Sequence, residues 1–86
     1  VKVVKRDDRR EDFKRDKIRR GIERAADRVK VDKKRAKEMA DRIAKDVEKN
    51  FRNRDEVRSE DIRNRVLEAL DRDERRVADS FREFRK

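Results

Sequence analysis

Lys5, Arg6 and Lys17 are the residues of this chain whose type and spacing point most directly to chemistry, and that chemistry is the capture of an anion. Lys5 and Arg6 end a β-branched opening, and Lys17 stands with Ile18 where an apolar helical repeat begins. A hairpin over residues 1–13 would return the two cations to the start of that helix. A helix N-terminus offers free N–H groups and the positive end of its dipole, so fixed cations beside it favour phosphate. Ile18 adds an apolar surface that could receive a flat base. On spacing alone the same residues also fit a solvated basic hairpin, with Ile18 in the core and Lys17 paired to Asp12 or Asp16.

The residue types that are missing exclude several other chemistries. Without Cys or His there is no thiol nucleophile, no Ser–His arrangement and no usual zinc site. Ser59 and Ser80 are the only side-chain hydroxyls. Carboxylates are plentiful, yet none lies in an apolar stretch that would visibly tune its pKa. The chain is therefore expected not to be an enzyme. The lack of Cys leaves the redox compartment open. No apolar run approaches the roughly 20 residues that span a bilayer, and no signal-peptide pattern is present. The expectation is a cytoplasmic protein without a membrane partner. The chain starts at Val1, which suggests a single domain over residues 1–86 that is a fragment of a larger protein.

The background to this site is 62% charged, with a net charge of +9. Such a composition could signal disorder. Regularly spaced apolar residues, alternating charge signs and the absence of proline argue instead for a fold. Only 20 side chains are Val, Ile, Leu, Met or Phe. At roughly 1.5–3 kcal/mol for each one buried, they make a thin core, and chain entropy of about 1.5 kcal/mol per ordered residue offsets most of it. Lys and Arg stems are expected to lie over that core with their heads in water. Many ion-pairing residues and few thermolabile ones suit a thermophile, and a designed surface would look the same. The positive charge favours an anionic partner: nucleotide phosphates, nucleic acid or a membrane surface.

The elements that must position the site follow from turn formers and periodicity. Residues 1–6 and 10–13 read as the strands of a short β-hairpin, with the turn-forming Asp7 and Asp8 and then Arg9 between them. Ile18, Ile22, Ala25 or Ala26, and Val29 mark one face of a first helix. Gly21 interrupts that helix at a cost of about 1 kcal/mol relative to Ala, which suggests a close packing contact with its backbone. Asp32 is the expected N-cap of a second helix, whose stripe is Ala36, Met39, Ala40, Ile43, Val47 and Phe51. Residues 52–56 read as a loop, and Val57 with Arg58 as a brief third strand. Ser59 is the expected N-cap of a third helix, with Glu60 and Asp61 in its first turn. Ile62, Val66, Ala69 and Leu70 form its buried face. A last helix carries Val77, Phe81 and Phe84. The fold class is mainly α with a small β-sheet: a β-hairpin cap followed by a four-helix cluster.

Val3-Val4-Lys5-Arg6-Asp7, then Glu11 and Phe13, then Lys17-Ile18, resemble the opening of the ATP-cone domain. Gly21-Ile22-Glu23-Arg24-Ala25 fits that family's first helix. Ser59-x-x-Ile62 followed by Val66 and Ala69-Leu70 is similar to its third. The motifs are short, but they cover nearly the whole chain in the family's order. The resemblance implies an N-terminal regulatory module of the kind found in ribonucleotide reductases and in the repressors of their genes. Such modules bind ATP or dATP, in some cases with magnesium, and pass occupancy to an attached catalytic or DNA-binding domain or to a homo-oligomer. Carried over by residue, the resemblance implies that Lys5, Arg6 and Lys17 hold phosphates, and that Val3, Glu11 and Ile18 line the base or ribose pocket. Lys14 falls where the family often has Asn or Asp near the nucleotide, and Ser59 where it has Thr or Ser. Lys14 also replaces an amide or acid suited to capping. Asp8 stands in place of the glycine that follows Lys-Arg-Asp in the family. Asp takes a left-handed backbone only at some cost, so the turn is open to reshaping and the position of Arg6 is not fixed by the resemblance.

Two alternatives stand beside nucleotide sensing. One is a basic helical module for nucleic acid, supported by the charge. Against it, the cations are spread over every helix among 22 acids, and no aromatic is placed for base stacking. The other is a degenerate cone that keeps the fold and acts as a structural or dimerising domain.

Overall fold

Val3 and Val57 are β-branched residues in segments too short to stand alone, and the fold joins them. The structure, a computed structural model, describes residues 1–83. In chain order these form β1 (Lys2–Val4), β2 (Arg10–Asp12), α1 (Arg15–Arg28), α2 (Lys33–Phe51), β3 (Glu56–Arg58), α3 (Ser59–Asp73) and α4 (Arg75–Glu83). The class is the expected one, mainly α with a small sheet. Phe84 lies outside the described residues.

The sheet has the order β2-β1-β3. β1 pairs antiparallel with β2 and parallel with β3, setting Val3 opposite Glu11 on one side and Val57 on the other. A parallel pair needs a long crossover, and α1 and α2 supply it. Side chains alternate across a strand, so Glu11, Val3 and Val57 share the face turned to the helices. Val3 and Val57 are buried there, and Glu11 is half-buried.

The hairpin is shorter than expected, with β2 ending at Asp12 rather than Phe13. Residues 5–9 close it. Lys5 N–H donates to the Arg9 carbonyl at 2.8 Å, Asp8 N–H to the Lys5 carbonyl at 3.0 Å, and Arg9 N–H to Asp7 Oδ1 at 3.2 Å. Asp8 adopts φ 65°, the left-handed conformation that glycine takes most easily. The Asp7 side chain, by capping Arg9 N–H, holds the turn in that shape.

Each helix turns the stripe that its periodicity marks toward the core, with Ile18, Val29, Ile62, Ala69 and Phe81 half-buried at its edge. Ile22, Ile43, Val47, Val66, Leu70 and Val77 are the largest fully buried side chains. Buried alanines on α1 and α2 (Ala25, Ala26, Ala36, Ala40 and Ala44) let these two helices approach closely. α1 ends with Lys30 at φ 61°. Lys30 N–H then reaches the Asp27 carbonyl and Val31 N–H the Ala26 carbonyl, both at 3.0 Å, which satisfies the last carbonyls of the helix. Asp32 caps α2 as expected, accepting from Arg35 N–H at 3.3 Å. α2 runs through Phe51, and β3 starts at Glu56, inside the segment expected to be loop. Above the thin core, ion pairs cross between helices: Arg15–Glu48 at 3.1 Å, Arg65–Asp46 at 3.0 Å, Arg82–Asp71 at 2.6 Å and Arg42–Asp73.

Ser59 is not the N-cap of α3. The helix begins at Ser59 itself, and the capping position falls to Arg58, which makes no side-chain cap hydrogen bond. Pairing of Arg58 with Val4 keeps the backbone extended up to residue 58, so the helix starts directly from the strand.

Because Asp8 is left-handed, its substitutions should separate sterics from charge. Asp8→Gly is expected to leave the melting temperature unchanged or higher. Asp8→Val, which also removes the charge but is β-branched, should lose at least about 1 kcal/mol in thermal or urea unfolding.

Candidate functional site

The sheet face, α1, α3 and α4 meet around a pocket of about 180 Å³ whose floor is apolar and whose rim is charged. Val3 enters it from β1, and Ile18 with Gly21 from α1. Ile62 and Val66 come from α3, and Phe81 from α4. Gly21 opens this space: a Cβ built there would stand 3.4 Å from Phe81 Cε1, an ordinary contact. The packing partner at Gly21 is the Phe81 ring, at a distance that would still admit a Cβ. A side chain longer than Ala would grow into the pocket.

The rim is cationic. Lys5 lies two residues along β1's line from Val3, on the same face, and Lys14 and Lys17 bracket the start of α1. Lys14 occupies the capping position of α1 with an extended backbone and makes no side-chain cap bond. The first N–H groups of α1 therefore have no capping side chain. Ser59, half-buried in the first turn of α3, completes the far edge. A shallower groove of about 390 Å³ continues outward past Lys14 and Lys17 to Lys2 and Arg10.

Glu11 is the electrostatic centre of this rim. Its carboxylate lies 3.3 Å from Lys17 Nζ and 3.9 Å from both Lys5 Nζ and Arg9 Nη1. The hydrogen bond from Lys17 is the main cause that holds the Glu11 carboxyl below the usual carboxylate range, and the charges of Lys17, Lys5 and Arg9 add to it. Asp12 is likewise lowered, chiefly by its hydrogen bond from Lys2.

The structure thus brings Val3, Lys5, Glu11, Lys14, Lys17, Ile18 and Ser59 around one pocket. Arg6 is not among them. It stands on the hairpin turn, 84% exposed at its side chain, with Nε 3.9 Å from Glu60 Oε1. Neither bland pairing considered for Lys17 occurs, since its ion pair is with Glu11. Sequence reasoning did not single out Arg63 or place Phe81 at the site. Arg63 lies over the Phe81 ring at 5.2 Å from its centroid and donates to the Phe81 and Arg82 carbonyls near the end of α4. Their only sequence signal was Gly21, a helical glycine that leaves room on that side.

Among the described residues there is no group of three or more acids that could hold a metal ion, and no helix is long and apolar enough to cross a membrane.

The lowered pKa of Glu11 gives a signed pH dependence. Its ion pairs stabilise the fold above the ordinary carboxylate range, and that contribution is lost as pH falls through the lowered folded-state value. Glu11→Gln removes this dependence. Its melting temperature should therefore fall less steeply than that of the parent between about pH 5 and pH 3. Identical acid limbs would refute the assignment.

No curated protein matches the chain. The family model of the ATP cone domain matches residues 1–86, the whole chain. Domains of that family are nucleotide-binding regulatory modules. The match is continuous through the hairpin, the crossover helices, β3 and the two helices that close the pocket, and on this basis the chain belongs to the ATP cone domain family.

Proposed function

We propose that the pocket binds an adenine nucleotide, ATP or dATP, and that its occupancy is passed to an attached catalytic or DNA-binding domain or to an interface between copies of the chain. The observation that carries this reading is an apolar floor and a lysine rim in one pocket. Pockets that enclose a drug-sized ligand span roughly 300–1,000 Å³. At about 180 Å³ this one suits a base, with ribose and phosphates projecting past its mouth.

In this pose the base lies on Val3 and Ile18, facing Val66 and Phe81. The phosphates reach Lys5, Lys14 and Lys17 and the uncapped start of α1, where N–H groups and cations act together. Lys5 and Lys17 exchange Glu11 for phosphate. Glu11 is then released to accept from a base amine or a ribose hydroxyl, and the Ser59 hydroxyl is within the same rim. Arg6 reaches a phosphate only by leaving Glu60. Magnesium accompanying a triphosphate is held by the phosphates themselves. Occupancy therefore rearranges ion pairs on β1, β2 and α1 at once, and that is the signal available to a neighbouring domain.

Titration calorimetry with ATP and with dATP tests the reading. Ligand at 100 times its dissociation constant should add about 2.7 kcal/mol to the unfolding free energy. No heat and no rise in melting temperature at millimolar nucleotide would reject it. Lys17→Ala is expected to weaken binding by about tenfold, the loss of one charge-assisted contact, with the helical fold retained. Gly21→Leu should fill the pocket and abolish binding while helical circular dichroism persists. Sedimentation with and without nucleotide reads the coupling to assembly.

A further inference from the structure

One short run of the chain is strongly basic, and the fold adds to it. Residues 28–37 carry Arg28, Lys30, Lys33, Lys34, Arg35 and Lys37 against one acid, Asp32. Asp32 is already engaged as the cap of α2. Within this run Arg35 pairs with Glu74 at 3.0 Å. The cations of the hairpin pair with Asp7, Glu11, Asp12, Glu56 and Glu60, and Arg65 and Arg82 on α3 and α4 pair with Asp46 and Asp71. At the corner between α1 and α2, Arg20, Arg24, Lys33 and Lys37 are exposed and have no ion pair among the described residues.

These four side chains converge on an open groove of about 520 Å³. Its two acids are Glu23, shared with Arg19 at 3.8 Å, and Asp27. Arg20 and Arg24 lie one turn apart on α1, and Lys33 and Lys37 one turn apart on α2, giving two rows with a repeat of about 6 Å along each helix. The first turn of α2 contains no acid beyond the capping Asp32, whose carboxylate faces the helix N–H groups. Lys30 adds a further cation at the corner from a left-handed position where glycine would cost less. The groove uses a different flank of α1 from the nucleotide pocket, which takes Lys17, Ile18 and Gly21.

We propose that this corner is a docking surface for the phosphate backbone of a nucleic-acid duplex, separate from the nucleotide pocket and independent of it. The chemistry of the groove selects that partner. Protein partners are anchored by buried aromatic or aliphatic hot spots. Here only Val31 and Ala36 are apolar, and Val1 is the one exposed large hydrophobic residue among those described. No aromatic lines the groove, so unpaired bases have nothing to stack on. What is left is neutralisation of regularly spaced phosphates, which is independent of sequence and steeply sensitive to salt.

The test is fluorescence anisotropy of the 86-residue chain with a labelled DNA duplex two helical turns long, between about 50 and 200 mM salt. Three variants are compared with the parent. The groove variant is Arg20→Gln, Arg24→Gln, Lys33→Gln and Lys37→Gln. A charge-matched control at the far end of α2 is Lys45→Gln, Lys49→Gln, Arg52→Gln and Arg54→Gln. An Arg20→Gln, Arg24→Gln double variant covers the case in which the quadruple fails to fold. The parent is expected to bind, with log affinity falling linearly against log salt. Each phosphate contact contributes about 0.9 to that slope, so the groove variant should lower it by roughly 3–4 and the double variant by roughly 2. The groove variant should also lose at least tenfold in affinity at the lowest salt, with its ATP titration unchanged, and the control less than threefold. Equal losses in groove and control variants, or no binding by the parent at the lowest salt, would overturn the proposal. So would tighter binding of polyglutamate than of duplex at the same salt, since that would assign the groove to an acidic protein.

Discussion

Parallel pairing of β1 with β3 is the constraint on which the rest of this structure depends. It joins residues from the two ends of a helical crossover through three pairs centred on Val3 and Val57. Closing so long a segment costs chain entropy that three residue pairs cannot offset alone. The burial of both valines in the hydrophobic core has to contribute. Once made, the pairing decides where α3 begins, because the backbone stays extended up to Arg58 and turns helical at once. It also helps to place Ser59 and Ile62 across from Lys17 and Ile18, the two walls of the pocket that α4 bridges with Phe81.

The same register explains an acid in an otherwise cationic rim. Glu11 shares a face with Val3 and is turned inward, toward Lys5 and Lys17. A carboxylate there keeps the lysines ordered by the attraction they would also feel for phosphate. Arg9, bent back by the turn through Asp8, adds a third cation to the set. The site is therefore a net-positive cluster of three cations around one carboxylate, whose balance an anion can change.

The helices were legible because apolar residues are scarce here and their spacing stands out from a charged background. Ala36, Met39, Ala40, Ile43, Val47 and Phe51 are all buried as their period implies. The brief strand at Val57 was legible from its β-branched residue, but its parallel pairing with β1 was not. A three-residue strand has no local preference for a partner, and tertiary closure chooses it. Ser59 was misread as a cap for the same reason: the residue type favours capping, and the strand overrode it. Helical period also locates a face without saying which end stays uncovered, so Phe81 read as core and Arg63 was passed over. The basic run at residues 28–37 was legible in the sequence, but its meeting with Arg20 and Arg24 across one groove needed the packing of α1 on α2.

The small size of the buried residues has a thermal consequence. Six of the sixteen buried hydrophobic residues among those described are alanines. Unfolding therefore returns little apolar surface to water, and the accompanying heat-capacity increment is small for the length of the chain. A small increment makes the stability curve broad and shallow instead of sharply domed. The ion pairs between helices act in the same direction, because the desolvation penalty of charged groups falls on heating. Free energy supplied by a bound effector would then be added to a nearly constant baseline, and its share of the total would change little between cold and warm conditions.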